Sequence, residues 1–545
     1  MENCLEKIID KIINYLIENY DNNGFAGRSF YGEAFFAAAL TMYNKTKYSE
    51  DIKKLIKVAD KKSEKLNSTL HWEFNNYAIM QIIRDYPEYK AILSHEFYYG
   101  STKSTNWIFL RQLCKCLNSE VQFSREFKTA LWERQQNSGL ILDAKNVSSL
   151  QYHCFSTVLL YEIYEVTNDK RIYNAFIKAV NFIKQFTLRD GESLYIGRGQ
   201  EQIFGYGCLI YLYELAYIET KDIEYINLQS KCLEYIKDYS NDKMIPLVIN
   251  KYESISEKNL DVNSIEHLGW YSYNNYYDYL PFFCYFITKT LKLKKADNKA
   301  EDYILGEYKE ENKVYIDTHF MRYSNNNYDA VVSCYPGADA NYIMLPYIVS
   351  ESGNVTPCYG GEKAHNCILY SDAAIPVPYF KFNNIFAGCM LSNTYLMRFV
   401  KSMKNRTVFN KEYYIWQNMN FIIRKDDEQV VIEANNSFCH YRRRMRFGEN
   451  SVDIQDSLKI KRNIKCSNFV PLNLAFYMCK LIHEGLYDIG NGWRLLIQLE
   501  DASNLYIQKK GFCAKGELTC LEQNYGKIEL EKGKIYTYKY KIFTS

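Results

Sequence analysis

The sequence predicts an α+β protein of two domains, an N-terminal (α/α)5–6 toroid followed by a C-terminal antiparallel β-sandwich. A chain of 545 residues exceeds what one hydrophobic core comfortably serves. Its first part repeats apolar residues at helical spacing, and its last part alternates them at strand spacing. We expect the toroid at 1–295 and the sandwich at 313–545. The charged segment KADNKAEDYILGEYKEENK places a linker at 296–312.

The helical pattern recurs throughout the first domain. Apolar residues at i, i+3, i+4 and i+7 occur in IDKIINYLIENY, GEAFFAAALTMYNKT, IKKLIKVADKKSEKL, AIMQIIRDY, FLRQLCKCL, FSTVLLYEIYEV, AFIKAVNFIKQF, GCLIYLYELAYIE and LQSKCLEYIKDY. Polar and aromatic clusters precede or open several helices, roughly once per helical hairpin. Apolar inner helices that alternate with amphipathic outer ones are typical of a ring of five or six hairpins.

The strand pattern begins after the linker. Alternating segments are KVYIDTHFMRYS, DAVVSCYP, TYLMRFVKS, YYIWQNMNFIIRK, QVVIEANNSFCHYRRRMRFG, SVDIQDSLKI, WRLLIQLED, NLYIQKKG and KIYTYKYKIF. Turn residues separate several of them, including Gly448-Glu449-Asn450 and Gly490-Asn491-Gly492. Short alternating strands with such turns predict antiparallel sheets that pack as a sandwich.

Charge and cysteine usage narrow the class of protein. A net charge of +3 gives no basis for a nucleic-acid partner, and no segment reaches the roughly 18 apolar residues that insert into a bilayer. The first helix is amphipathic and lacks the pattern of a signal peptide. The 16 cysteines show no CxxC pair, which indicates reduced thiols. We expect a cytoplasmic protein without membrane insertion, although export by another route stays open, and nothing indicates the oligomeric state.

Three segments carry hydrogen-bonding residues at the start of an apolar helix. Ser104-Thr105-Asn106-Trp107 precedes IFLRQLCKCL, Gln151-Tyr152-His153 opens FSTVLLYE, and the stretch SLYIGRGQEQIFGYG precedes CLIYLYEL. Consecutive inner helices of a ring bring their starts to one end. We therefore expect one cleft lined by Asn106, Trp107, Tyr152, His153, Arg198, Gln202 and Tyr206.

A helical toroid followed by a β-sandwich resembles the polysaccharide lyases of the heparinase II/III-like, alginate lyase and chondroitin AC lyase type. The segment at 191–215 is similar to the stretch of toroidal alginate lyases that holds an Arg-Gly turn and the catalytic tyrosine. The resemblance implies catalytic roles for Arg198, Tyr206, Asn106 and the Tyr152-His153 pair. Tyr206 is followed by glycine where the family has histidine, so the catalytic tyrosine is either Tyr206 or Tyr152.

The resemblance implies β-elimination from a uronic acid glycoside. A tyrosine would take the proton at C5 and return one to the leaving oxygen. Asn106, His153 or Arg198 would neutralise the adjacent carboxylate as negative charge develops there. The expected partner is an acidic polysaccharide or oligosaccharide, and the scheme needs no metal or cofactor. Substrate contacts are expected from Trp107, Gln202, Trp270 and His365, a histidine that resembles one from the β-domain of the heparinase-type lyases.

Other interpretations remain open. A toroidal glycoside hydrolase would need two carboxylates on either side of the glycosidic bond, and the candidates are Glu73, Asp143, Glu201, Glu266, Asp278 and Glu362. A non-catalytic glycan-binding protein of a surface-polysaccharide pathway is the third possibility. Each site residue also has a structural explanation: Asn106 as a helix cap, His153 as a satisfied core group, and Arg198 with Tyr206 as the seal of a turn. The run at 442–446 fits a solvated strand face or a surface that attracts an acidic polymer.

Overall fold

The computed structural model describes residues 1–64, 71–197, 199–240, 245–249, 275–296, 313–335, 342–358, 376–382, 413–414, 420–498, 504–513 and 516–544. The chain divides into two compact units, Met1–Tyr308 and Lys309–Ser545. The predicted linker lies outside the described residues after its first position, as does the predicted strand at 394–402. The domain boundaries drawn from the sequence therefore stay predictions.

The described part of the first unit contains eleven α-helices and a short hairpin. The helices are α1 (Glu2–Glu18), α2 (Gly32–Asn44), α3 (Ser49–Ser63), α4 (Trp72–Asp85), α5 (Thr105–Leu117), α6 (Arg125–Arg134), α7 (Leu150–Thr167), α8 (Lys170–Ile183), α9 (Ile203–Thr220), α10 (Glu224–Asp238) and α11 (Tyr276–Ala296). The 3₁₀ helices span Pro87–Ile92 and Lys184–Phe186, and the hairpin pairs β1 (Tyr20–Asp21) with β2 (Gly24–Phe25).

Six of these helices form a closed ring. Each of α2, α4, α5, α7, α9 and α11 packs on the next one, and α11 returns to α2. A second layer surrounds the ring, in which α3, the first 3₁₀ helix, α6, α8, α10 and α1 pack on those six in the same order. The predicted (α/α)5–6 toroid is confirmed, with six inner helices.

The two layers differ in how much of each helix is buried. The inner helix α9 is buried on all sides over most of its length, as its uniformly apolar sequence requires. The outer helix α8 buries one stripe that includes Ile172, Phe176, Ala179 and Ile183, which is the i, i+4, i+7, i+11 pattern of a helix lying on a core. None of the described helices is both long and apolar enough to cross a membrane.

The ring closes where α11 meets the start of α2. The carboxylate of Asp278 accepts hydrogen bonds from the backbone N–H groups of Phe30, Tyr31 and Gly32, each at 2.9 Å. It therefore caps α2 from another helix, in place of a cap from the preceding residue. A Cβ at Gly32 would lie 1.5 Å from the carbonyl oxygen of Tyr277, so only glycine allows this approach.

The second unit consists of antiparallel strands. They are β3 (Lys313–Ile316), β4 (Phe320–Ser324), β5 (Tyr328–Cys334), β6 (Tyr342–Ser350), β7 (Gly353–Asn354), β8 (Tyr379–Phe382), β9 (Tyr413–Tyr414), β10 (Phe421–Asp426), β11 (Gln429–Asn435), β12 (Cys439–Phe447), β13 (Ser451–Ile460), β14 (Ile464–Cys466), β15 (Asn468–Val470), β16 (Leu472–Phe476), β17 (Lys480–His483), β18 (Leu486–Gly490), β19 (Trp493–Gln498), β20 (Leu505–Cys513), β21 (Gly516–Gln523), β22 (Ile528–Leu530) and β23 (Ile535–Thr544).

Two larger sheets share one core in this unit. The eight-stranded sheet has the order β10-β11-β12-β13-β23-β19-β18-β17, and the five-stranded sheet runs from β3 to β7 in sequence order. Their buried side chains belong to one cluster, which includes Val332 and Ile348 of the smaller sheet with Ile432 and Leu495 of the larger. The predicted antiparallel β-sandwich is confirmed, and the turns predicted at 448–450 and 490–492 join β12 to β13 and β18 to β19.

A buried ion pair lies inside the sandwich. Nε and Nη2 of Arg443 donate to the two carboxylate oxygens of Asp456, both at 2.7 Å, and Nη1 donates to the carbonyl of Met344 on the other sheet. The hydroxyls of Tyr441 and Tyr540 donate to the same carboxylate. Because every partner is satisfied, the pair is compatible with burial and links the two sheets. In the arginine run at 442–446, Arg443 is therefore buried, and the arginines on the solvent face are those at the alternate positions.

Replacing Asp278 by asparagine should destabilise the helical unit by about 3 kcal/mol. The groups around this carboxylate are hydrogen-bond donors, including Ser29 Oγ and Asn275 Nδ2, so the new amide NH₂ would face donors. Urea unfolding followed by far-ultraviolet circular dichroism measures the loss. Asp169→Asn is the matched control, because Asp169 caps the outer helix α8 at its own N-terminus and asparagine caps equally well. Equal stability of the two variants would contradict the role of Asp278.

Replacing Arg443 by methionine should cost about 3–5 kcal/mol, because it leaves the buried carboxylate of Asp456 without its cation. Arg446→Met lies on the same strand and removes an exposed ion pair with Glu428, so it should cost less than about 1 kcal/mol. Hydrogen exchange of β12 and β13 peptides at increasing urea reports this unit alone. Similar exchange in both variants would show that the buried pair stabilises the sandwich no more than the exposed pair of Arg446 does.

Candidate active site

A cavity of about 280 Å³ lies inside the ring, at the N-terminal ends of the six inner helices. Every inner helix contributes to its wall, which is lined by Phe30, Tyr31, His71, Phe74, Asn106, Trp107, Tyr152, Phe155, Phe204, Asp278, Tyr279 and Phe282. Helix N-termini carry partial positive charge. The carboxylate of Asp278 already occupies the N-terminus of α2, and the other five favour an anionic ligand at this end.

Asn106 is the most unusual polar group of this wall. It lies in the first turn of α5, and 3% of its surface is exposed. Its side chain makes no hydrogen bond within the described part of the chain, and the buried Oδ1 has no partner there. Ser104 occupies the N-cap position of α5, so Asn106 is not the cap of this helix. A buried amide without partners costs about 1–3 kcal/mol, which a ligand that bonds to it would offset.

Aromatic rings surround that amide. The ring of His71 stacks on Phe30 at a centroid distance of 4.5 Å and lies 5.3 Å from the ring of Trp107. Trp107 in turn meets Phe74 edge to face at 4.9 Å. Flat apolar faces beside a few polar groups are typical of sites for small organic ligands, because they bury ring surfaces while the polar groups fix orientation.

Tyr152 lies in the first turn of α7 and lines the same cavity. Ser149 caps the helix by accepting a hydrogen bond from the backbone N–H of Tyr152 at 3.3 Å. The half-buried ring of Tyr152 lies 5.7 Å from that of Phe204 on α9. Gly205 permits this close approach of the two helices, because a Cβ at its position would lie 2.8 Å from Cγ of Gln151.

The structure places three other predicted residues away from the cavity wall. The fully buried hydroxyl of Tyr206 donates to Glu201 at 2.8 Å and accepts the backbone N–H of Ser193 at 3.1 Å. Burial and the nearby Glu201 raise the pKa of Tyr206 well above its usual range, which is the reverse of what a base requires. Gln202 is also fully buried, where it accepts a hydrogen bond from Gln151.

His153 faces the outer layer rather than the cavity. Its Nδ1 accepts the backbone N–H of Ile141 at 2.9 Å, and its Nε2 lies 3.0 Å from the carbonyl oxygen of Ala179 on α8. Those bonds fix a neutral ring that donates from Nε2. Burial lowers the pKa of His153 from 6.5 to about 4. This placement fits the structural explanation, a satisfied core histidine, better than carboxylate neutralisation.

The remaining predicted residues, Arg198, Trp270 and His365, lie outside the described residues. His71 was not recognised in the sequence, although it directly precedes α4 and so repeats the pattern of a polar aromatic residue at an inner-helix start. Tyr279 of α11 ends the tyrosine-rich run at 271–279, whose rings the sequence offered as surfaces for a sugar, and it lines the cavity.

No protein-family model and no curated protein matches the sequence. Among solved structures, the chain is similar to the chondroitin AC lyase of Streptomyces coelicolor in complex with chondroitin sulphate, at 10% identity and a TM-score of 0.48, over 99% of this chain and 79% of that one. It is similar to a heparinase III at 12% identity and a TM-score of 0.32, over 90% of this chain and 77% of that one. It is also similar to the cellobiose 2-epimerase of Bacillus thermoamylovorans at 13% identity and a TM-score of 0.38, over 53% of this chain and all (100%) of that one. Lyases of the type that the sequence resembles are thus among the similar structures.

Replacing His153 by glutamine should remove part of the pH dependence of stability. The folded pKa near 4 lies below the ordinary 6.5, so this contribution is complete above pH 6.5 and is lost as the pH falls toward 4, by up to about 3 kcal/mol. The measurement is the free energy of unfolding of both proteins from neutral to acid pH. Identical pH profiles would contradict a buried neutral histidine.

Proposed function

We propose that this protein is a polysaccharide lyase that cleaves a uronic acid-containing glycan by β-elimination at the cavity of the inner helices. The observation that carries the proposal is the amide of Asn106, whose Oδ1 has no partner among the described residues, in an aromatic cavity that Tyr152 also lines. The Nδ2 group of this amide can donate to a uronate carboxylate while Oδ1 accepts from a sugar hydroxyl, and the helix N-termini around it favour the same negative charge.

The reaction assigns one task to each of these two groups. Asn106 donates a hydrogen bond to the uronate carboxylate, which gains negative charge as the C5 proton leaves. Tyr152 as phenolate takes that proton, the bond from C4 to the glycosidic oxygen breaks, and a C4–C5 double bond forms. Tyr152 then gives the proton to the departing oxygen. No water and no change of oxidation state enter the balance.

The surrounding residues hold the sugar and attract its charge. Trp107 and His71 offer ring faces on which a pyranose can lie. At the rim, the exposed guanidinium of Arg28 lies over the ring of Phe30, with Cζ 4.5 Å from its centroid. A cation at this position raises the local concentration of an acidic glycan.

The carboxylates give less support to the hydrolase alternative. Asp278 is the one carboxylate that lines the cavity among the described residues, and backbone N–H groups of α2 occupy it. Glu73 is fully buried, where it accepts hydrogen bonds from Arg111 Nε and Gly100 N. The described residues thus offer no pair of available carboxylates at the cavity, as hydrolysis would need.

The direct test of the activity is to incubate the purified protein with alginate, heparan sulfate, hyaluronan and chondroitin. Elimination creates a conjugated unsaturated uronate that absorbs in the ultraviolet, and hydrolysis does not. We expect this absorbance to rise with one of the polymers. New reducing ends without the absorbance would establish a hydrolase, and binding without any product would establish a glycan-binding protein.

Tyr152→Phe should lower kcat by about 10²–10⁴-fold, because it removes the proton-transfer group and keeps the ring. Tyr164→Phe is the matched control, since Tyr164 lies on the same helix twelve residues away, or about 18 Å along the axis. Asn106→Ala should lower kcat by about 10²–10³-fold through loss of the carboxylate donor. Rates of both cavity variants close to that of the Tyr164 control would overturn this mechanism.

A further inference from the structure

The eight-stranded sheet presents a row of polar side chains on its solvent face. The register aligns Arg444 with Gln455, Gln455 with Lys539, and Lys539 with Gln498, on four neighbouring strands. Cations and amides therefore alternate straight across β12, β13, β23 and β19. We call these four residues the cationic row. Lys539 and Gln498 are exposed, and the other two are half-buried.

The cationic row lies in a groove of about 330 Å³, which is also lined by Gln429 at the start of β11 and by Arg446, Asp453 and Lys541 of the next row along the strands. Neighbouring strands are about 4.8 Å apart, so Arg444 and Lys539 stand about 10 Å apart along the row. The row of four residues therefore extends for about 14 Å across the strands. This geometry fits an extended chain that lies on the sheet.

The charges of the row are uncompensated, unlike those of the next row along the strands. In the next row, Arg446 pairs with Glu428 at 2.7 Å and Lys541 approaches Asp453 at 3.8 Å. The arginine and the lysine of the cationic row form no ion pair or hydrogen bond in the described part of the chain. Four cations and one carboxylate, that of Asp453, line the groove, so its net charge is positive and it attracts an anion.

We propose that the cationic row binds an anionic polysaccharide at a second site, separate from the cavity of the inner helices. The proposal takes its ligand class from the proposed function. The two amides suit sugar hydroxyls, which both donate and accept hydrogen bonds, and the spaced cations suit acidic groups that recur along a chain. The row contains no aromatic residue, so it lacks the stacking surface on which single-stranded nucleic acids depend.

The double variant Arg444→Gln/Lys539→Gln tests the site. Affinity for alginate, heparan sulfate, hyaluronan and chondroitin is measured at low and moderate salt, in the Tyr152→Phe background so that cleavage does not consume the polymer. The control, Lys465→Gln/Lys527→Gln, removes the same charge from exposed positions of the second unit outside the eight-stranded sheet. We expect the row variant to bind the preferred polymer about tenfold more weakly, or about 1.4 kcal/mol, and the control to match the parent.

Three results would overturn the proposal: equal affinity of the row variant and the control, no binding of any acidic polymer by the parent, or stronger row-dependent binding of DNA or of anionic vesicles. The ultraviolet assay on the wild-type protein separates this site from the proposed function. Row-dependent polymer binding without unsaturated product would support the second site and refute the lyase. Unsaturated product with binding that does not depend on the row would support the lyase and refute the second site.

Discussion

The helical unit depends on one contact, the carboxylate of Asp278 on the first backbone N–H groups of α2. This contact joins the last inner helix to the first, and Gly32 permits it because no larger residue fits against α11. A ring of helices that stayed open would expose the apolar sides of α2 and α11 to water. The same closure fixes the inner-helix starts around one cavity, so the site geometry follows from it.

Much of the fold can be predicted from the sequence, because apolar residues on the buried face of a helix or strand recur at regular spacing. The outer helix α8 has one apolar stripe, and β13 alternates apolar and polar residues except at the buried Asp456. The pattern was not identified in α11, although this helix closes the ring. Its core PFFCYFITKTL is apolar on nearly all sides and contains Pro281, which removes a helical hydrogen bond. Arg443 shows a related limit, because alternation does not reveal which single arginine is buried with a carboxylate.

The candidate site can be predicted from the sequence only in part. The pattern of polar residues at inner-helix starts led to Asn106, Trp107 and Tyr152, all of which line the cavity. It did not distinguish Tyr152 from His153, because adjacent residues differ by about 100° around a helix and the direction of each depends on packing. Tyr206 illustrates the same limit. The sequence does not distinguish a tyrosine that donates to Glu201 within the core from a tyrosine that lines the cavity.

The most direct measurement of the central claim is a crystal structure of the Tyr152→Phe protein with a uronate oligosaccharide. The account predicts a uronate in the cavity, with its carboxylate within hydrogen-bond distance of Nδ2 of Asn106 and its C5 hydrogen facing the ring at position 152. A cavity without bound uronate, or a uronate in the cavity whose carboxylate points away from Asn106, would contradict the account. The choice of oligosaccharide follows from the polymer that the protein cleaves.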